Sequence, residues 1–171
     1  MKGWTVWLHG PVASGKTTIG KALFDKLSGE NVILFDGDVL RSIIPDKLGH
    51  TREDRCKLAE RYVDIRYRQE YRNSNVILCT NSHFEDNRKI FRDGLVRYIE
   101  VYLKCPIEVC EKRDHKGLYK GARAGIFDDL PGIGDPIEEP IGQHLTIYTD
   151  KVPIDISVRE ILKCIKERFY M

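Results

Sequence analysis

At 171 residues the chain has room for one domain with a core that folds without staples, and too little for two of ordinary size. Hydrophobic residues at 42% and charged residues at 32% exclude a disordered or fibrous chain, and 28 basic against 26 acidic side chains leave a net charge of +2, too small to imply a nucleic-acid or membrane partner. Five scattered cysteines with no CxxC pair fit neither a zinc site nor a disulfide framework, which points to a reducing compartment, the cytoplasm.

In chain order, Trp4 to Leu8 is β-rich and ends at Gly10, and Gly15 to Leu27 carries helical apolar spacing through Ile19, Ala22, Leu23 and Leu27. A second apolar run, Val32 to Phe35, stops at Asp36-Gly37-Asp38, a turn that puts two carboxylates at a strand's carboxyl end. Thr51-Arg-Glu-Asp54 reads as a capping box opening a helix to about Arg72. Val76 to Cys79 and Ile99 to Leu103 are further strands, followed by helices near 84–93 and 106–113. Between Asp114 and Pro140 the pattern gives way to Gly, Pro, Asp and basic residues, which predicts a lid with no core of its own. A strand at Leu145 to Tyr148 precedes a helix predicted from Ser157, capped by Glu160, with Val158, Ile161, Leu162, Ile165 and Phe169 as its apolar stripe. No apolar stretch approaches the ~20 residues a membrane helix needs. The whole, residues 1–171, reads as a single α/β domain with a mostly parallel five-stranded sheet between helical layers and a lid at about 114–140.

Gly10-Pro-Val-Ala13-Ser14-Gly15-Lys16-Thr17 matches GxxxxGKT in full, after a strand and at a helix start, as the mechanics of a phosphate loop require. The glycines allow a tight loop with backbone N–H groups turned inward. The helix N-terminus adds positive potential, Lys16 spans the β- and γ-phosphates of ATP, and Thr17 ligates Mg²⁺. Thr18 completes the ATP-binding set. No NKxD tetrapeptide occurs, which weighs against a GTPase.

Asp36 and Asp38 should open onto the same carboxyl edge as this loop. One carboxylate can accept a hydroxyl proton while the other, Asp36, positions Mg²⁺ beside Thr17. Arg41 and Arg55 can clamp an anionic acceptor. The lid brings Arg113, Lys116, Lys120 and Arg123 beside glycines, suited to closing over a transferring phosphoryl group and excluding water. The histidines, His50 excepted, read as structural or surface groups.

GxxxxGKT, Asp36-Gly-Asp-Val-Leu-Arg41, Leu48-Gly49 with Glu53-Asp54-Arg55, Arg113-Asp114 with Lys116-Gly-Leu118-Tyr119, Arg123-Ala-Gly125, Gly132-Ile133 and Glu139-Pro140 together resemble the adenylylsulfate kinase family, over about residues 4 to 142. The resemblance implies the three-layer P-loop NTPase fold and transfer of the γ-phosphate of ATP to the 3′-hydroxyl of a nucleotide acceptor, adenylylsulfate. It makes Asp38 the base, puts Arg41 and Arg55 on the acceptor's anionic group and Arg113 against the ATP adenine, and has Lys116 act from the lid. Leu118 and Arg123 join the acceptor side, and a homodimer is implied by analogy.

The sequence departs from that family where the acceptor's adenine would lie between two phenylalanines. Here those positions are His50 and Leu130, and an asparagine three residues after Arg55 is Leu58. Aromatic pairs contribute about 0.5–1.5 kcal/mol beyond area burial. The chain is in this respect similar to short capsule-pathway relatives that phosphorylate cytidine diphosphoramidate, the alternative acceptor. A non-enzymatic nucleotide-binding module is a second alternative, in which Asp38 and the cationic lid would lack a task. A kinase of the shikimate or gluconate type is a third.

Overall fold

The computed structural model describes residues 3–45, 47–70 and 73–170. Strands β1 (Thr5–His9), β2 (Val32–Asp36), β3 (Asn75–Thr80), β4 (Tyr98–Lys104) and β5 (Leu145–Tyr148) form one sheet in the order β2-β3-β1-β4-β5. Every neighbouring pair is parallel, and Val6 at the centre is in register with Ile77 on one side and Ile99 on the other. Parallel neighbours need crossovers. The described helices are α1 (Lys16–Lys26), α2 (Gly37–Ile43), α3 (Arg52–Glu70), α4 (Glu85–Gly94), α5 (Ile107–Lys112), α6 (Leu118–Arg123) and α7 (Ile154–Phe169).

Side-chain alternation along the strands builds a core on each face of the sheet. Val6 and Leu8 of β1 join Ile19 and Leu23 of α1 and Val158 and Ile161 of α7. Trp7, pointing the other way, joins Ala59 and Tyr62 of α3 and Phe91 of α4. The result is helix on sheet on helix, the three-layer fold that the sequence implies. Truncating a fully buried member such as Leu23 to alanine costs about 2–5 kcal/mol.

Four expectations are corrected. The Asp36-Gly37-Asp38 turn is the opening of α2, because the Asp36 carboxylate accepts from the Asp38 backbone N–H at 2.9 Å and caps a helix there. At α3, Thr51 Oγ1 does accept from Asp54 N at 3.2 Å, but the Asp54 carboxylate accepts from Gly49 N at 3.0 Å instead of closing the box; Arg72 lies outside the described residues. The last helix begins at Ile154, a turn before Ser157, whose hydroxyl donates back to the Pro153 carbonyl at 2.9 Å from within the helix. The lid segment has a core after all: Tyr119, Ala122 and Leu130 are buried with Cys105 and Cys110.

Because all five strands run the same way, their carboxyl ends share one edge. The Gly10–Lys16 loop, the Asp36 cap, the Asn81–Ser82 segment after β3 and the Thr149–Asp150 segment after β5 all leave from it.

Candidate active site at the carboxyl edge of the sheet

A cavity of about 1180 Å³ opens along that edge, lined by Val12 to Ile19, by Asp36 to Asp38, by α3 and by the lid. The loop at its floor depends on two glycines. At Gly10 a Cβ would meet the Leu103 carbonyl oxygen at 2.4 Å, and Gly15, the N-cap of α1, has φ +99°, a left-handed conformation that disfavours any side chain. Lys16 folds back over the loop, its Nζ donating to the carbonyls of Gly10 at 3.0 Å and Pro11 at 2.5 Å. Burial lowers the Lys16 pKa to about 8.

At the start of α2 the two aspartates have different partners. Asp36 accepts from Thr17 Oγ1 at 2.6 Å through its second oxygen, so hydroxyl and carboxylate present adjacent hard oxygen donors beside the phosphate loop. Such donors suit Mg²⁺, which takes few protein oxygens and shares the rest with substrate phosphates and water. Among the described residues no group of three or more His, Cys, Asp or Glu could hold a metal ion. Asp38, two residues on, pairs with Lys116 of the lid at 2.5 Å.

One wall carries Arg41, His50 and Arg55. Arg41 is fixed by the carbonyls of Leu48, at 2.7 Å, and Gly49. Arg55, largely buried at the head of α3, donates to the carbonyls of His50 at 2.8 Å and Asp129 at 3.1 Å. A guanidinium has five donors, so both arginines keep N–H groups for an anion. Burial, reinforced by Arg41 and Arg55, lowers the His50 pKa, so that imidazole is neutral near pH 7. Leu130 also lines the cavity, and with Leu58 and Ala59 it gives this end an apolar floor.

The lid covers the rest. Lys116 and Leu118 line the cavity, and Tyr119 hangs the lid on the phosphate loop by donating its hydroxyl to the Val12 carbonyl at 3.0 Å. Arg113 donates to the Thr149 carbonyl at 3.0 Å, at an end walled by Val152, Pro153 and Ile154. Arg123 is a correction: its guanidinium pairs with Glu111 on α5, the Nη2 contact being 3.0 Å, and it does not line the cavity.

Sequence reasoning applied the carboxyl-edge rule to β2 and not to β3 or β5. It therefore missed Asn81 and Ser82, Thr149 and Asp150, all of which line the cavity. It also missed Tyr62, whose hydroxyl donates to the Gly37 carbonyl at 2.6 Å, and Asn87, hidden in a charged helical run.

A family model described as "Adenylylsulphate kinase" matches residues 2–148. An adenylyl-sulfate kinase of Halothermothrix orenii is 36% identical over 173 residues, covering 99% of this chain and 93% of the relative. One of Rippkaea orientalis is 35% identical over 99% of this chain and 95% of the relative. The solved APS kinase CysC of Mycobacterium tuberculosis, in complex with AMPPNP and APS, is 28% identical with a TM-score of 0.87 and covers 96% of this chain and 98% of that one. A shikimate kinase of Acinetobacter baumannii, 17% identical with a TM-score of 0.60 over 98% of this chain and 95% of that one, shares the fold.

Proposed function

The chain belongs to the adenylylsulphate kinase family, and on that premise we propose that it transfers the γ-phosphate of ATP to the 3′-hydroxyl of adenylylsulfate, giving ADP and 3′-phosphoadenylylsulfate. The observation that carries the reading is the meeting of Lys16, Thr17, Asp36, Asp38 and Lys116 on one cavity, with two arginines and a nucleotide-sized space beyond them.

The chemistry follows from those groups. Loop N–H groups and Lys16 hold the triphosphate, and Arg113 lies against the ATP base. Arg41 and Arg55 seat the acceptor's anionic group. Asp38 takes the proton as the acceptor oxygen bonds to the γ-phosphorus and the bond to ADP breaks. Lys116, freed from Asp38 when the triphosphate arrives, offers its charge to the phosphoryl oxygens. Thr17 and Asp36 would hold Mg²⁺, which when bound offsets phosphate charge. Enclosure by the lid keeps water from competing.

The reading places the protein in the cytoplasm as a homodimer, which light scattering on the purified chain checks. All five cysteines are free, and no described helix is long and apolar enough to cross a membrane. The test of function supplies ATP and Mg²⁺ with adenylylsulfate or, separately, cytidine diphosphoramidate, and follows ADP. Adenylylsulfate-dependent ADP release that Asp38→Asn abolishes without abolishing ATP binding supports the reading. Turnover of the cytidine compound alone overturns the acceptor, and no turnover of either overturns the transferase.

A further inference from the structure

The acceptor end of the cavity holds a polar group that none of the roles above uses. Asn87, on the first turns of α4, is 4% exposed and lines the cavity. Its Nδ2 donates to the backbone carbonyl of Arg55 at 2.6 Å. Its Oδ1 is buried without a hydrogen-bond partner.

That donor contact locks the amide. Rotating it by half a turn would set Oδ1 against the Arg55 carbonyl oxygen, two acceptors facing each other, so the oxygen is fixed as the group turned away from Arg55. An amide oxygen buried and unpaired carries a desolvation cost, which a ligand N–H donor recovers and a ligand carbonyl does not. Asn81, on the loop after β3, adds a second buried and unpartnered amide oxygen to the same cavity. Leu58, Ala59 and Leu130, which line the same cavity, supply apolar surface and no donors. The bond to the Arg55 carbonyl also ties this group to the residue that seats the acceptor's anion, which fixes the distance between anion and base.

We propose that Asn87, supported by Asn81, reads the base of the acceptor and selects one whose edge carries an exocyclic amino group over one carrying a keto oxygen there. The proposal rests on the kinase reading above and deepens it by naming the residue that selects an amino-bearing base. Asn87 acts on the selection of substrate, apart from the transfer step.

The test compares kcat/KM for adenylylsulfate and for its hypoxanthine counterpart, which differs by the amino-to-keto exchange, in the unmodified protein and in Asn87→Leu. Loss of one buried contact and exposure of its partner make a selectivity of about ten- to a hundredfold for the amino base. In Asn87→Leu the ratio falls toward one, and Asn87→Ala, a smaller change, serves should the leucine variant not fold. A role confined to steadying Arg55 would lower kcat/KM for both acceptors alike and leave the ratio where it was, so an unchanged ratio overturns the proposal. So does equal turnover of the two acceptors by the unmodified protein. ADP release with neither acceptor is a different result, which removes the kinase assignment itself and this proposal with it.

Discussion

Lys116, from the segment after α5, reaches across the cavity mouth to Asp38 on the first turn of α2 and pairs with it at 2.5 Å. Both side chains are about two-thirds exposed, so the pair contributes little to stability and its meaning is positional. It brings the lid's cation and the carboxylate proposed as the base to one point. Lys116→Met should lower kcat by about 10²–10³, the range for removing one transition-state donor, while ATP binding changes little. Steady-state ADP release with a parallel nucleotide titration reads both quantities. A normal kcat in the variant would dissociate Lys116 from the transfer step.

Lys16 gives the site a pH dependence on its alkaline side. Its pKa falls from 10.5 to about 8, chiefly through burial, so in the empty protein the ammonium loses its proton as pH rises through about 8. Between those values the folded chain binds fewer protons than the unfolded one, so this group makes the fold gain stability with rising pH while the phosphate site loses its cation. ATP affinity should weaken above about pH 8, approaching tenfold per unit for the empty form. Lys16→Arg keeps its charge and should flatten the profile over the same range. Nucleotide titrations between about pH 7 and 10 that show no weakening in the unmodified protein would contradict the buried-ammonium account.

The contrast between α1 and the lid shows what the residues disclose and what they hide. Val6, Leu8, Ile19 and Leu23 announce strand, loop and helix because their periods of two and 3.6 arise from contacts made nearby in the chain. Tyr119, Ala122 and Leu130 form an equally real core, but their apolar partners are Cys105 and Cys110, in a segment before the lid, and glycine, proline and charge separate them. Sparse long-range burial leaves no local period. The phosphate loop was legible for the same reason that α1 was. Asn87 was not, since an asparagine among Glu85, Asp86 and Arg88 looks like solvated helix until the fold turns it inward. Arg123 misled in the opposite direction, a cation in a lid whose partner, Glu111, is one short helix away.

Acid stability should track His83 and Glu100. Burial, with Arg55, Arg88 and Arg52 nearby, lowers His83 to about 3, so its contact with Asp135 at 3.4 Å is made by a neutral ring. Burial alone would raise Glu100, but hydrogen bonds from His9 and Arg92 outweigh it and hold the carboxyl at about 2. In both cases the unfolded chain binds more protons. The contribution of these two groups is therefore full above about pH 6.5, falls first through His83 and then, below about pH 4.5, through Glu100 as well. His83→Gln should reduce the slope between those two values by up to about 1.4 kcal/mol per pH unit, leaving the share of His9, His50 and His144, which are also lowered. Urea midpoints measured across that range read the slope, and an equal slope in both proteins would assign it elsewhere.

Tyr119 links the lid to the phosphate loop in two separable ways. Its ring is fully buried in the lid core, and its hydroxyl donates to the Val12 carbonyl at 3.0 Å. Tyr119→Phe removes only the second and should cost about 1 kcal/mol. Tyr119→Ala empties the ring's place, at about 3–5 kcal/mol. That loss should fall on α6 and its surroundings, because the ring packs there and not against the two cores of the sheet. Hydrogen exchange in the alanine variant should then quicken across the lid while β1, β3 and β4 keep their protection. A loosened lid also admits water to the phosphoryl group. Acceptor-independent ATP hydrolysis should rise relative to transfer, more in Tyr119→Ala than in Tyr119→Phe. If exchange accelerated equally in the central strands, the lid core would be part of the global fold and this separation would fail.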